Sequence, residues 1–392
     1  MNRPPAGLAA RPVRDGITWL SYGQLSLWAW FMYAFGATVA LLRDDQGTSR
    51  SVAALHGSAM AVAGILAGAV ASHFVHRFGR GQMMRASSLG VMLGLAAYSW
   101  PHAPLAVTLG GMFLTGFAGT MLVVTVNAFL LSHQGAAGPA SLTEANALAA
   151  GAGLVAPLAI GIGAATILGW QAGIWVVIIG LAAVEIVRGR RTSQFGMAGE
   201  EAHAEHRASR LPRRVYWTLA LIVCFLGTEF SMVFWSADLL RERASFGPAA
   251  AAASLAAVTG GMALGRLAGS RLAERIAGDT LLRASIVIAL GGFALAWLTT
   301  SGWLMLVGLF INGLGLGVHW PLGVARAVNA SGGMTDRAAA LCSLFGSIAI
   351  ATLPFVLAAL ADAIGFHEAF LLVPAMLVSA LVILLARPEY PR

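Results

Sequence analysis

Residues 215–240 read VYWTLALIVCFLGTEFSMVFWSADLL. A helix needs about 20 mainly apolar residues to cross the hydrocarbon core of a bilayer. This run meets that length and carries two carboxylates, Asp238 toward its outer end and Glu229 near its middle. Holding a carboxylate at the bilayer centre costs at least about 2.5–3.5 kcal/mol on insertion scales, so such a side chain faces a partner or a polar interior rather than lipid. The stretch therefore reads as a membrane span with chemistry held inside it.

Working outward, segments of the same kind run at 18–42, 52–75, 83–100, 105–131, 143–168 and 170–187, and again at 249–272, 281–300, 303–325, 338–361 and 368–386. With 215–240 they predict an all-α membrane protein of twelve transmembrane helices. The breaks are short and carry turn residues, as in Pro101-His102-Ala103-Pro104 and Ser301-Gly302. One connection is long, with Glu200, Glu201 and Glu205 between arginine clusters, and it reads as a polar linker. The chain thus divides into an N-terminal six-helix bundle (1–187), a cytoplasmic linker (188–214) and a C-terminal six-helix bundle (215–392).

Composition agrees. Hydrophobic residues make up 58% of the 392 and charged residues 11%, against roughly 45–50% and about 25% in a soluble domain. All 25 basic residues are arginine. Without lysine there is no phosphate-binding loop ending in Gly-Lys-Ser/Thr and no lysine Schiff base. The arginines flank apolar runs instead of forming a basic patch with aromatics, which argues against nucleic acid. Cys224 and Cys342 lie in apolar segments and read as small buried hydrophobes. No His-Glu-x-x-His helix or clustered carboxylate set occurs, so neither an enzyme nor a metal or cofactor site is expected. The first apolar run is too long for a signal-peptide core of about 7–15 residues and reads as a retained helix.

With the N-terminus inside, 21 of the 25 arginines fall on the inner side, leaving Arg43, Arg50, Arg241 and Arg243 outside. That bias predicts cytoplasmic termini. An offset of 198 residues superposes Arg43 on Arg241, Arg77 on Arg275, Arg85 on Arg283, Gly110 on Gly308 and Gly119 on Gly317. The two halves read as parallel pseudo-repeats, the arrangement of a machine whose halves rock about a central site.

The turn after the second span reads Ser72-His73-Phe74-Val75-His76-Arg77-Phe78-Gly79-Arg80. It resembles the signature of the major facilitator superfamily, Gly-x-x-x-Asp-Arg-x-Gly-Arg. Arg77, Gly79 and Arg80 fit the pattern, Ser72 stands where glycine is usual, and His76 stands where aspartate is usual. The pseudo-repeat turn keeps Glu274-Arg275. In the family these turns hold the inner helix ends together, so His76, Arg77, Gly79, Arg80, Glu274 and Arg275 are expected to act in the conformational change. Gly153-Leu154-Val155-Ala156-Pro157 resembles a degenerate Gly-Pro motif of drug/proton antiporters in the same superfamily. Its simpler reading is close helix packing.

Among candidate site residues, Glu229 suits reversible proton binding, and the resemblance puts the seventh span on the central cavity. His319 is a second proton-coupling candidate, because its charge changes near neutral pH. Pro321 is expected to kink the tenth span. Gln24, Trp28, Asn127, Trp235, Asn312 and Trp320 are expected to line the substrate cavity, with the three tryptophans as stacking surface. Asp238 reads as an interfacial partner of Arg241 or Arg243. Ser141-Leu142-Thr143-Glu144 reads as a capping box opening the fifth helix, and Tyr22 as an interface-belt residue beside Trp19. No arginine falls near the middle of a predicted span, which ranks anionic cargo low.

The expected protein is a proton-coupled secondary transporter, a monomer in a bacterial plasma membrane, whose partners are protons, a small-molecule substrate and the lipid bilayer. Export of a neutral, hydrophobic or cationic organic solute is the first expectation. Uptake of a sugar or other metabolite is the second. A non-transporting membrane sensor is the alternative of another class.

Overall fold

The computed structural model describes residues 12–190, 195, 211–273, 275–332 and 334–387. All regular elements among them are helical. The first half holds α1 (Gly16–Gln46), α2 (Arg50–Phe78), α3 (Arg80–Tyr98), α4 (Leu105–Gln134), α5 (Gly138–Ala164) and α6 (Gln171–Arg188). The second holds α7 (Arg213–Ala244), α8 (Pro248–Leu272), α9 (Gly278–Leu298), α10 (Gly302–Leu316), α11 (His319–Ala330), α12 (Thr335–Ile364), α13 (Phe366–Ala369) and α14 (Leu372–Ala386). α10 and α11 make one crossing interrupted at Gly317-Val318, and α13 and α14 make another. Twelve crossings result. Eleven are long and apolar enough to span a membrane on their own. The twelfth, α3, carries Arg80, Gln82, Arg85, Ser87 and Ser88 and spans the bundle without that apolarity.

Local chemistry sets the helix ends. Asp15 caps α1, its carboxylate accepting from the Thr18 N–H at 2.9 Å, and Gly47 closes the helix with φ 62°. Ser49 caps α2 through the Val52 N–H. α5 starts earlier than the capping-box reading placed it. Gly138-Pro139 puts proline in the first turn, where a missing N–H is tolerated, so Ser141 and Glu144 already lie inside the helix. Ser141 hydrogen-bonds the Tyr22 hydroxyl at 2.8 Å and Glu144 pairs with Arg14 at 2.7 Å. Tyr22 is accordingly buried between helices and not in an interface belt, while Trp19 is exposed. The interruption attributed to Pro321 falls one turn upstream, and Pro321 sits in the first turn of α11.

In the first half α1 packs on α5 and α6, and α4 on α2 and α3. In the second half α7 packs on α12 and α14, and α10 on α8 and α9. The halves meet along α2–α12, α5–α8 and α1–α7. The 198-residue offset has a physical counterpart. Arg85 reaches from α3 to the Gly189 carbonyl after α6, and Arg283 reaches from α9 to the Leu384 carbonyl near the end of α14, at 3.1 Å. Large apolar side chains such as Leu93, Ile179, Leu267, Val287 and Val382 point outward from the bundle, as a fold surrounded by hydrocarbon requires.

At the face predicted to be extracellular the halves are in direct contact. A Cβ on Gly36 of α1 would lie 2.0 Å from the Val233 carbonyl of α7, so only glycine permits this approach. Phe35 and Phe234 meet edge to face beside it, ring centroids 4.9 Å apart.

Candidate functional site

Glu229 lies midway along the 32-residue α7 and is buried. One carboxylate oxygen pairs with the Arg266 guanidinium of α8 at 3.4 Å. The other, Oε2, is buried without a hydrogen-bond partner. Arg266 donates through its second nitrogen to the Tyr33 hydroxyl of α1 at 2.7 Å. Tyr33 in turn lies on Gly153 of α5, where a Cβ would come within 2.3 Å of the ring. Four helices from both halves therefore converge on one acid, one base and one phenol. Thr228 Oγ1 and Ser231 Oγ, within a turn of Glu229, are also buried without partners. Buried polar groups left unbonded by protein are costly, and a half-satisfied carboxylate beside a partly exposed guanidinium is the chemistry of a binding site.

No arginine lies near the middle of a span, as the sequence indicates, yet Arg266 reaches Glu229 from near the end of α8. It lies six residues before the end of α8, but the guanidinium sits on a long flexible stem that can carry it well away from its own Cα. Its stem runs inward to Glu229. Arg266 keeps 33% of its side chain exposed, against 8% for Glu229, so the cation is the more accessible half of the pair. The signal that could have found it was Glu229 itself, which demands a partner at that depth.

His319 opens α11 and is buried, with neither ring nitrogen hydrogen-bonded. Its ring stacks on Phe225 at 4.3 Å, one helical turn below Glu229. The remaining candidates divide by environment. Trp28 lies half-buried over Gly119 of α4, and Trp320 lies half-buried near Gly346 of α12. Asn127 is half-buried in α4. Gln24, Trp235 and Asn312 are fully buried in helix packing. Gln24 donates to Ser88 of α3 at 2.8 Å and approaches Glu185 of α6, which also pairs with Arg188 at 2.9 Å and with Arg85. Trp235 donates to the Pro354 carbonyl of α12 at 3.0 Å, and Asn312 donates to the Ala289 carbonyl of α9 at 2.9 Å.

Asp238 keeps the expected Arg241 as a long ion pair, but its main partner is another arginine. Both oxygens accept from the two terminal nitrogens of Arg43 on α1, at 2.7 and 2.8 Å, while Arg241 stands 3.9 Å away. Arg241 pairs with Asp44 of α1 at 2.7 Å, and Arg50 of α2 pairs with Glu242. Charges of one half thus answer charges of the other across the closed face.

At the opposite face, Gly79 separates α2 from α3 with φ 79°. His76 and Arg77 are exposed beside it, Arg77 over the Phe78 ring, and Arg80 donates to Ser132 of α4 at 2.7 Å. Arg275 is exposed in the corresponding turn after α8. Its neighbour Glu274 lies outside the described residues, as does most of the 188–214 linker.

A family model described as Major Facilitator Superfamily matches residues 20–301. Among solved structures the chain is similar to the nucleoside transporter NupG, with a TM-score of 0.72 at 12% identity over 95% of this chain and 99% of that one. It is similar to the peptide transporter POT in complex with sulfate, with a TM-score of 0.73 at 13% identity over 97% and 96%. It is also similar to FucP in the outward conformation, with a TM-score of 0.64 at 15% identity over 96% and 99%. No curated protein sequence matches it. At these identities the likeness is one of fold.

Proposed function

Because the chain belongs to the major facilitator superfamily, and is by that membership a transporter and not an enzyme, we propose that it couples solute movement to protons and that Glu229 carries the coupling proton. The observation behind this reading is the Glu229–Arg266 pair at the meeting of α1, α5, α7 and α8, with one carboxylate oxygen left unbonded. A carboxylate held by a cation inside the bundle has two stable conditions: ionised and paired, or protonated and released. Switching between them changes which contacts join α7 to α8 and α1. A proton can bias a conformational equilibrium only through such a difference. His319 is the second proton-site candidate, stacked one turn below. Trp28, Trp320 and Asn127, which keep partial exposure, are the proposed solute contacts. Gln24, Trp235 and Asn312 would act by holding their helices. The setting proposed is a bacterial plasma membrane with both termini cytoplasmic, and the direction proposed is export, with proton-coupled uptake as the second reading.

A thermal-shift screen of purified protein identifies a ligand, and flux is then followed in proteoliposomes under an imposed pH gradient. Glu229→Gln is expected to abolish gradient-driven accumulation while leaving solute exchange. Undiminished accumulation by that variant would remove Glu229 from the coupling role.

A further inference from the structure

We propose that the Arg266–Tyr33 corner binds the carboxylate of a small organic monoanion, which takes the place of Glu229 on the guanidinium only when Glu229 is protonated. This rests on the reading of Glu229 as the coupling site and narrows its cargo. A neutral or cationic solute was favoured because no interior arginine was visible in the sequence, and Arg266 removes that premise.

The geometry carries the argument. In the structure Arg266 spends one terminal nitrogen on Tyr33 at 2.7 Å and the other on Glu229 at 3.4 Å. The second contact is long for a charge-assisted hydrogen bond, which prefers about 2.7–2.9 Å. Arg266 is also the exposed member of the pair. A guanidinium presents several donors in a planar fork that matches a carboxylate, so an incoming carboxylate has a better seat than Glu229 now occupies. The displaced Glu229 cannot stay ionised in the interior without a partner. It leaves the pair as the neutral acid, the form that the interior holds at far lower cost than an unpaired carboxylate. Among the described residues, the titratable side chains that touch this centre are Arg266 and Tyr33, with His319 stacked on Phe225 below it.

The exchange balances in atoms and charge. The ionised Glu229 paired with Arg266, plus one proton and one solute carboxylate, gives protonated Glu229 and the solute carboxylate on Arg266. The centre is neutral before and after. A cation has no place in either condition. It would meet Arg266 unshielded when Glu229 is protonated, and it would have to displace Arg266 when Glu229 is ionised. The loaded site therefore moves one proton and one monoanion in the same direction with no net charge, which selects the proton-coupled uptake reading over export.

The test uses purified full-length protein and a panel of aliphatic, hydroxy, keto and aromatic monocarboxylates, each beside its uncharged amide. At least one acid is expected to raise the melting temperature, more at pH 6 than at pH 8, with its amide inert. Arg266→Gln/Glu229→Gln, which keeps polar groups at both positions, is expected to fold and to lose that response. In proteoliposomes the active acid is expected to accumulate with a pH gradient and to ignore an imposed membrane potential. The inference is overturned if no acid in the panel stabilises the protein, if acid and amide act alike, or if the double variant retains the response. It is equally overturned if the flux follows the membrane potential. Proton-coupled flux of a neutral or cationic compound through Glu229 would sink this inference alone. Binding of acids without any pH dependence would overturn this inference and the coupling role together.

Discussion

Asp238→Asn tests whether charge holds the closed face shut. The Asp238 side chain is 2% exposed and that of Arg43 11%, and two hydrogen bonds of 2.7 and 2.8 Å join them across the halves. Removing one partner of a buried pair costs about 3–5 kcal/mol, because the other charge stays desolvated. Part of that is recovered here: Asp44 remains 3.3 Å from Arg43, and asparagine still offers one acceptor. That leaves roughly 2 kcal/mol against the closed face. When the halves part, both side chains reach water, so the open form loses nothing. The closed-to-open ratio should then fall about 30-fold. Spin labels at the exposed loop positions His102 and Gly247, one in each half, report the separation by double electron–electron resonance. The long-distance population is expected to grow in Asp238→Asn and to shrink back in the charge-swapped Arg43→Asp/Asp238→Arg. An unchanged distance distribution, or a swap that restores nothing, refutes the reasoning.

Two further outcomes follow from the packing. Gly36→Ala would put a methyl 2.0 Å from the Val233 carbonyl, and overpacking of this kind costs about 1–3 kcal/mol. It should open the same face as Asp238→Asn, but independently of salt concentration, and a salt-dependent effect in the same resonance experiment would contradict this. His319→Phe removes two buried nitrogens that have no partner, which is worth about 1–3 kcal/mol per unsatisfied group. The melting temperature should rise with the pH profile of flux unchanged, whereas a flattened profile would move the coupling proton to His319.

The helices were legible because crossing a bilayer imposes a length and an apolarity that few soluble segments meet together. The paired halves were legible because Arg85 and Arg283 do the same local work in each. What a linear reading could not supply was partners distant in the chain. Glu229 announced itself by its cost, but Arg266 hid behind its position near a helix end, and Tyr33 behind its company of aromatics. Asp238 has two arginines within five residues, yet its bidentate partner is Arg43, 195 residues away. Gln24 looked like a cavity residue because it is polar within an apolar run, and its amide nitrogen is held between helices by Ser88 and Glu185. Pattern reports which side chains need a partner; only the packing of helices says who answers.

The polar α3 has a consequence for how the protein is made. Its neighbours α2 and α4 can enter lipid on their own, whereas a segment bearing Arg80 and Arg85 cannot readily do so. Gln24, which meets Ser88, is synthesised before α3, but Glu185 and the Gly189 carbonyl, which receive Arg85, emerge about a hundred residues later. The contacts that take the charge of Arg85 in the finished bundle therefore become available only after α6 has been made, about a hundred residues behind α3.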